Sequence, residues 1–132
     1  MRALNITFGS LVIKVWLFDT VTADKLYKAA PFDSVAKTWG NEVYFGTPVN
    51  LLRESTARSI LQYGEVAFWL EGSAIAIGYG PTPISIGDEI RLASECNIWG
   101  EIKGDLMGLG AVSAGDRVCV KQCSSNGRQD RL

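Results

Sequence analysis

Glu42 is the side chain in this sequence whose setting most suggests chemistry, because it stands in a β-rich run between Trp39 and Tyr44 rather than among other charges. A carboxylate held among aromatic rings loses solvation and its pKa rises. It can then give or take a proton, or accept an N–H from a ligand. A second role is open to it as well: an ion pair with an arginine such as Arg91, tying neighbouring strands together. Trp39, Tyr44, Trp69 and Tyr79 offer aromatic surface that would wall an apolar groove, with Glu42 and Arg91 as its polar contacts. For each of these rings, packing in the core or at the end of a barrel is the competing reading, since large aromatics dominate cores.

Other chemistries are removed by what the chain lacks. Its 132 residues include no histidine, so Ser-His-Asp and Cys-His nucleophile pairs and histidine-ligated zinc or haem are excluded. Acid-base work would fall to carboxylates, lysine, tyrosine or cysteine. The three cysteines, Cys96, Cys119 and Cys123, are odd in number and lack C-x-x-C spacing. They form neither a disulfide framework nor a zinc signature, which points to a reducing cytoplasm and to no metal. Thirteen basic against fourteen acidic residues leave a net charge of −1, without the basic surplus of a nucleic-acid binder. The loop Gly78-Tyr79-Gly80-Pro81-Thr82-Pro83 does not match a phosphate-cradling motif, and no cofactor is expected. The apolar start, Met1 to Phe18, is broken by Lys14 and lacks a cleavage site, so neither export nor a membrane span is expected.

The elements that must position these residues are mostly short strands. Ala3–Phe8 and Leu11–Phe18 flank Gly9-Ser10, a hairpin signal. Asp19, Thr20 or Thr22 can cap a short helix over Ala23–Ala30, ended by Pro31, whose Leu26, Tyr27 and Ala30 would cover a sheet opening. Further strands are expected at Ser34–Thr38, Glu42–Gly46, Val66–Leu70, Ala74–Tyr79, Ile90–Ala93, Asn97–Lys103 and Arg117–Lys121. Three turns carry a glycine and an acid before a strand, at Gly64-Glu65, Gly87-Asp88-Glu89 and Gly115-Asp116, where the acid can bond its own backbone. Along Glu42–Phe45, Glu42 and Tyr44 share one face and Val43 and Phe45 the other. The same alternation sets Val66, Phe68 and Leu70 against Ala67 and Trp69, and Ile75, Ile77 and Tyr79 against Ala76 and Gly78. The pattern is that of a single mainly β domain over residues 1–123, a barrel with one or two short helices, followed by a polar flexible tail over 124–132.

The block Trp39-Gly40-Asn41-Glu42-Val43-Tyr44-Phe45, then Tyr79-Gly80-Pro81-Thr82-Pro83-Ile84, Gly87-Asp88-Glu89-Ile90 and Asn97-Ile98-Trp99-Gly100-Glu101-Ile102, resembles the small prokaryotic cyclophilin-like family from about Ala3 to Val112. The resemblance implies a closed eight-stranded barrel with short helices over its ends. It does not carry activity with it. Cyclophilins isomerise X-Pro bonds with an arginine that donates to the prolyl nitrogen, a chemistry that needs no histidine. Their Phe-x-Arg pattern corresponds here to Phe32-Asp33-Ser34, so serine stands in place of that arginine, and Arg53, Arg58 and Arg91 are the candidates to approach from elsewhere. Three functions follow as expectations. The first is a binding module for a peptide or small molecule in a groove on the barrel, the second a weak prolyl isomerase with a relocated arginine. The third is a structural domain that associates with itself, for which exposed Trp and Phe would gather on one patch.

Overall fold

A computed structural model describes residues 2–123, so the tail expected over 124–132 lies outside the described residues. Ten strands and one α-helix follow in the order β1 (Ala3–Phe8), β2 (Leu11–Leu17), α1 (Val21–Ala29), β3 (Phe32–Val35), β4 (Lys37–Thr38), β5 (Glu42–Gly46), β6 (Arg58–Leu61), β7 (Glu65–Trp69), β8 (Ala74–Gly78), β9 (Ile90–Glu101) and β10 (Arg117–Gln122), with a 3-10 turn at Met107–Ala111. Hydrogen bonding runs β3-β10-β1-β2-β9-β7-β8-β5-β4, all antiparallel, and β6 joins β9 beside this path. The two ends of the path are neighbours in the chain. Residues 32–38, expected as one strand from Ser34, bend at the buried Ala36, so that β3 bonds β10 while β4 bonds β5. Counted as one bent strand, β3 and β4 complete an eight-membered ring.

Closure gives every ring strand an inside and an outside, and two-residue alternation then sorts its side chains. Leu4, Ile6, Val15, Val43, Phe45, Val66, Phe68, Ile75, Ile77, Val118 and Val120 fill the interior with Trp99. Phe8 meets Phe45 edge to face at 5.9 Å. Helix α1 begins two residues earlier than expected because Thr20 is its cap, its hydroxyl accepting from the Ala23 N–H at 3.0 Å. It packs Ala23, Leu26 and Ala30 into the same core, with Tyr27 against it.

The three glycine–acid turns are structural. In each, the acid accepts a backbone N–H from three residues earlier: Glu65 from Gln62 at 2.7 Å, Glu89 from Ile86 at 2.8 Å and Asp116 from Ser113 at 2.8 Å. Arg58 then forks onto Glu65, joining β6 to β7.

The larger departure from expectation is β9. The expected break between Ala93 and Asn97 is absent, and twelve residues run as one strand. Its second half pairs with β2 and β7 inside the ring, whereas its first half pairs with β6, a strand that alternation did not reveal. The polar residues Ser94 and Glu95 interrupt the apolar pattern where β9 passes from one setting to the other. Its first half lies over the outer faces of β7 and β8, where Leu61, Ile90, Leu92, Cys96 and Ile98 pack on Ala67 and Ala76 as a second apolar cluster. A bulge leaves Trp99 as the extra residue between Ile98, opposite Ala67, and Gly100, opposite Val66, and its indole enters the interior.

Asn97, at the point where β9 enters the ring, is fully buried and has three partners. Its Oδ1 accepts from the Glu54 N–H at 2.8 Å, and its Nδ2 donates to Thr22 Oγ1 at 2.9 Å and to the Leu52 carbonyl at 3.0 Å. The start of α1 and the 52–54 segment are thereby fixed to β9. Replacing Asn97 with alanine removes all three bonds from a fully buried position and leaves the buried Thr22 hydroxyl without this donor, and we expect Asn97→Ala to lose about 2–4 kcal/mol in urea unfolding. A loss under about 0.5 kcal/mol, the range of an ordinary surface change, would contradict this role.

Candidate functional site

The outer faces of β7 and β8 carry small residues, Ala67, Ala76 and Gly78, opposite the large interior ones. That leaves room for the first half of β9 to approach. Ile90 sits where a side chain on Gly78 would have to go, 2.3 Å from the Cβ position. Where this covering stops, a cavity of about 190 Å³ remains between sheet and strand. Glu42 and Tyr44 reach it from β5, Trp69 from β7, Ala76 from β8, Leu92, Ala93 and Cys96 from β9, and Trp39 from the turn entering β5.

Each aromatic wall is held in place. Trp39 and Glu42 exchange backbone hydrogen bonds across a turn, at 2.9 and 3.2 Å. That turn is pressed on the 81–83 loop, with the Asn41 N–H donating to the Pro81 carbonyl at 3.0 Å. Gly40 makes the approach possible, since its φ is +58° and a Cβ would fall 2.8 Å from Pro83 Cδ. Trp69 stands edge-on to Tyr44, ring centres 6.0 Å apart. Its Nε1 donates to Ser94 Oγ at 3.1 Å, and Ser94 in turn donates to Glu71 at 2.9 Å. The ring lies over Gly72, where any Cβ would come within 2.4 Å of it.

Of the six residues expected to form a groove, Trp39, Glu42, Tyr44 and Trp69 are gathered here and two are elsewhere. Tyr79 packs against the barrel interior, on the side that strand alternation gives Ile75 and Ile77. The parity of β8, extended one step past Gly78, already separates Tyr79 from an outer-face site. Arg91 lies one residue out of phase with Leu92 and binds Glu89 through Nε at 2.6 Å and Nη2 at 3.2 Å. It therefore does not pair with Glu42. Leu92, Ala93 and Cys96 were not expected at the site, because their half of β9 reaches it only through long-range folding. The signal for Ala76 was its small size among large neighbours.

Glu42 has no counter-charge among the described residues. Only 7% of its surface is exposed, and Oε1 is buried with no hydrogen-bond partner. Burial pushes its carboxyl up to about 7 from an ordinary 4.5. Cys96 beside it is raised to about 12, by burial first and then by the charges of Glu42 and Glu71, so its thiol stays protonated and unreactive. No group of three or more metal-ligating side chains occurs among the described residues.

The raised pKa has a consequence for stability. Between about pH 4.5 and 7 the folded protein keeps a proton on Glu42 that the unfolded chain releases. The contribution is therefore fully present below the lower value and is lost as pH rises through the upper one. The cost is on the order of 3 kcal/mol once both states are ionised. We expect Glu42→Gln to unfold like the wild type near pH 4 but to be more stable by about 2–3 kcal/mol at pH 8. Denaturant titrations at the two pH values check this, and a pH-independent difference would refute it.

The model of the family described as cyclophilin-like matches residues 2–121. Among solved structures, the chain is similar to the hypothetical protein AF2241 of Archaeoglobus fulgidus, determined in solution. The two are 34% identical over 92% of this chain and 95% of that one, with a TM-score of 0.80. Among curated proteins, none matches. With barrel, bent closing strand and family model in agreement, the chain belongs to the cyclophilin-like family.

Proposed function

We propose that this protein is a binding module whose cavity, between the outer barrel face and the first half of β9, receives a small molecule or a single side chain of a peptide. One observation carries the reading. A glutamate is buried in the wall of an aromatic-lined cavity, its Oε1 without a hydrogen-bond partner among the described residues. Leaving such a group unsatisfied costs about 1–3 kcal/mol, which a ligand donor would recover. The volume suits the task, since a cavity of about 150 Å³ already accepts a molecule the size of benzene. Cys96 and Cys119 are free thiols, in keeping with a reducing cytoplasm. No described helix is long and apolar enough to cross a membrane.

The other readings find less support. An isomerase would need an N–H fork in the cavity, yet no arginine among the described residues lines it. Arg53, Arg58 and Arg91 are each bound to a glutamate, Glu95, Glu65 and Glu89. Ser34 donates to the Gly46 carbonyl at 2.7 Å, helping to join the closing strand to β5. Self-association through exposed Trp and Phe has little to work with, as none of either is among the exposed large hydrophobics of the described residues.

Trp39 and Trp69 make the test direct. A fragment set of neutral and charged small molecules, titrated against intrinsic fluorescence, should yield binders at millimolar concentration or below. Their affinity should fall at least tenfold in Trp69→Ala. Proline-peptide isomerisation should proceed at the uncatalysed rate. Fragments whose binding is indifferent to Trp69→Ala would count against this cavity, and a measurable catalytic rate would restore the isomerase.

A further inference from the structure

The cavity has a sign as well as a size. Among the described residues that line it, the one carboxylic acid, Glu42, meets three aromatic side chains and no cation. Glu71, hydrogen-bonded to Ser94 behind Trp69, adds negative potential. Lys37 is a competing positive group in the strand ladder. It lies opposite Tyr44 on β4 and so shares the outer face, but it is exposed and does not line the cavity.

An anion entering here would meet a carboxylate without relief. A metal ion would find one carboxylate and a thiol that holds its proton. A neutral ligand would fill the space but leave the charge uncompensated whenever Glu42 ionises. An organic cation satisfies every feature at once. Its charge pairs with Glu42, its alkyl groups bury against Leu92 and Ala76, and the π-faces of Trp and Tyr attract it most strongly where water is excluded.

We propose that the cavity is a site for an alkylated ammonium group, with Glu42 as its counter-charge and Trp39, Tyr44 and Trp69 as its aromatic walls. This rests on the cavity being a binding site at all, as argued above. The same chemistry can come from a free alkylammonium metabolite or from a modified lysine side chain, and the shared headgroup is what the cavity recognises.

The proposal implies proton release. A cation binds the ionised form of Glu42, so entry at or below neutral pH displaces the proton that burial otherwise retains. The titratable groups facing Glu42 are Cys96 from β9, Tyr44 from β5 and, at the rim, Lys37 from β4, with Glu71 acting from behind Trp69. Glu42, its carboxyl raised by burial to about 7, is placed to change charge near neutral pH.

Calorimetric titration of the full chain with tetramethylammonium tests this. The comparisons are the neutral isostere tert-butanol, the anion pivalate, and a short peptide carrying trimethyl-lysine. We expect the cation to bind at least tenfold more tightly than tert-butanol, and pivalate not to bind. Cation affinity should drop about tenfold per pH unit below 7, with a proton released on binding. It should also fall at least tenfold in Glu42→Gln, shown by circular dichroism to remain folded, and be unchanged in Asp33→Asn, a charge loss elsewhere. Tighter binding of the peptide would assign the headgroup to lysine, and tighter binding of the free ion to a small molecule. Equal binding of tert-butanol and cation, indifferent to Glu42→Gln, would overturn the cation site and leave the binding module standing. No binding of any probe, together with an empty fragment screen, would overturn both.

Discussion

Barrel closure at Ala36 is the constraint on which the rest of the structure depends. The Ala36 N–H donates to the Asp116 carbonyl at 2.8 Å, and its own carbonyl accepts from Gly115 at 2.9 Å. Held there, the chain changes partner from β10 to β5 within a few residues. Without that bend the sheet would end in two free edges, each a template for unwanted pairing. With it, the inside of the ring is defined for every strand, and a shift of one residue anywhere would send large side chains outward.

The outer face is where this family member forms its cavity. Small residues on β7 and β8 let one half of β9 fold back over the barrel, and the covering is incomplete beside β5. The cavity thus arises from two chemically different decisions. Interior packing needs Val43 and Phe45, and alternation then obliges Glu42 and Tyr44 to face outward. Long-range pairing of β6 with β9 determines that this outward face is roofed instead of solvated. A glutamate that would be an ordinary surface charge on a bare sheet becomes a buried acid.

The turns show how far local chemistry reaches. Glu65, Glu89 and Asp116 all close their turns onto the backbone, as residue type alone suggested. The same holds for the hairpin at Gly9-Ser10, the Thr20 cap and the Pro31 stop, each set by neighbours a few residues apart. Asn97 is different. Nothing near it in the chain marks it as a hub, because its partners Thr22, Leu52 and Glu54 are more than forty positions away.

Strand order of burial, turn chemistry, the helix and the family blocks were therefore legible in the sequence, since each rests on a period of two or on contacts within a turn. So was the sharing of a face by Glu42 and Tyr44. The tertiary structure alone decided that β9 runs unbroken through Ser94 and Glu95, that Arg91 is taken by Glu89, and that Leu92 and Cys96 join Trp39 and Trp69 around one cavity. The reason is physical: alternation tells which side chains point away from the core, but only long-range pairing decides whether water or protein meets them there.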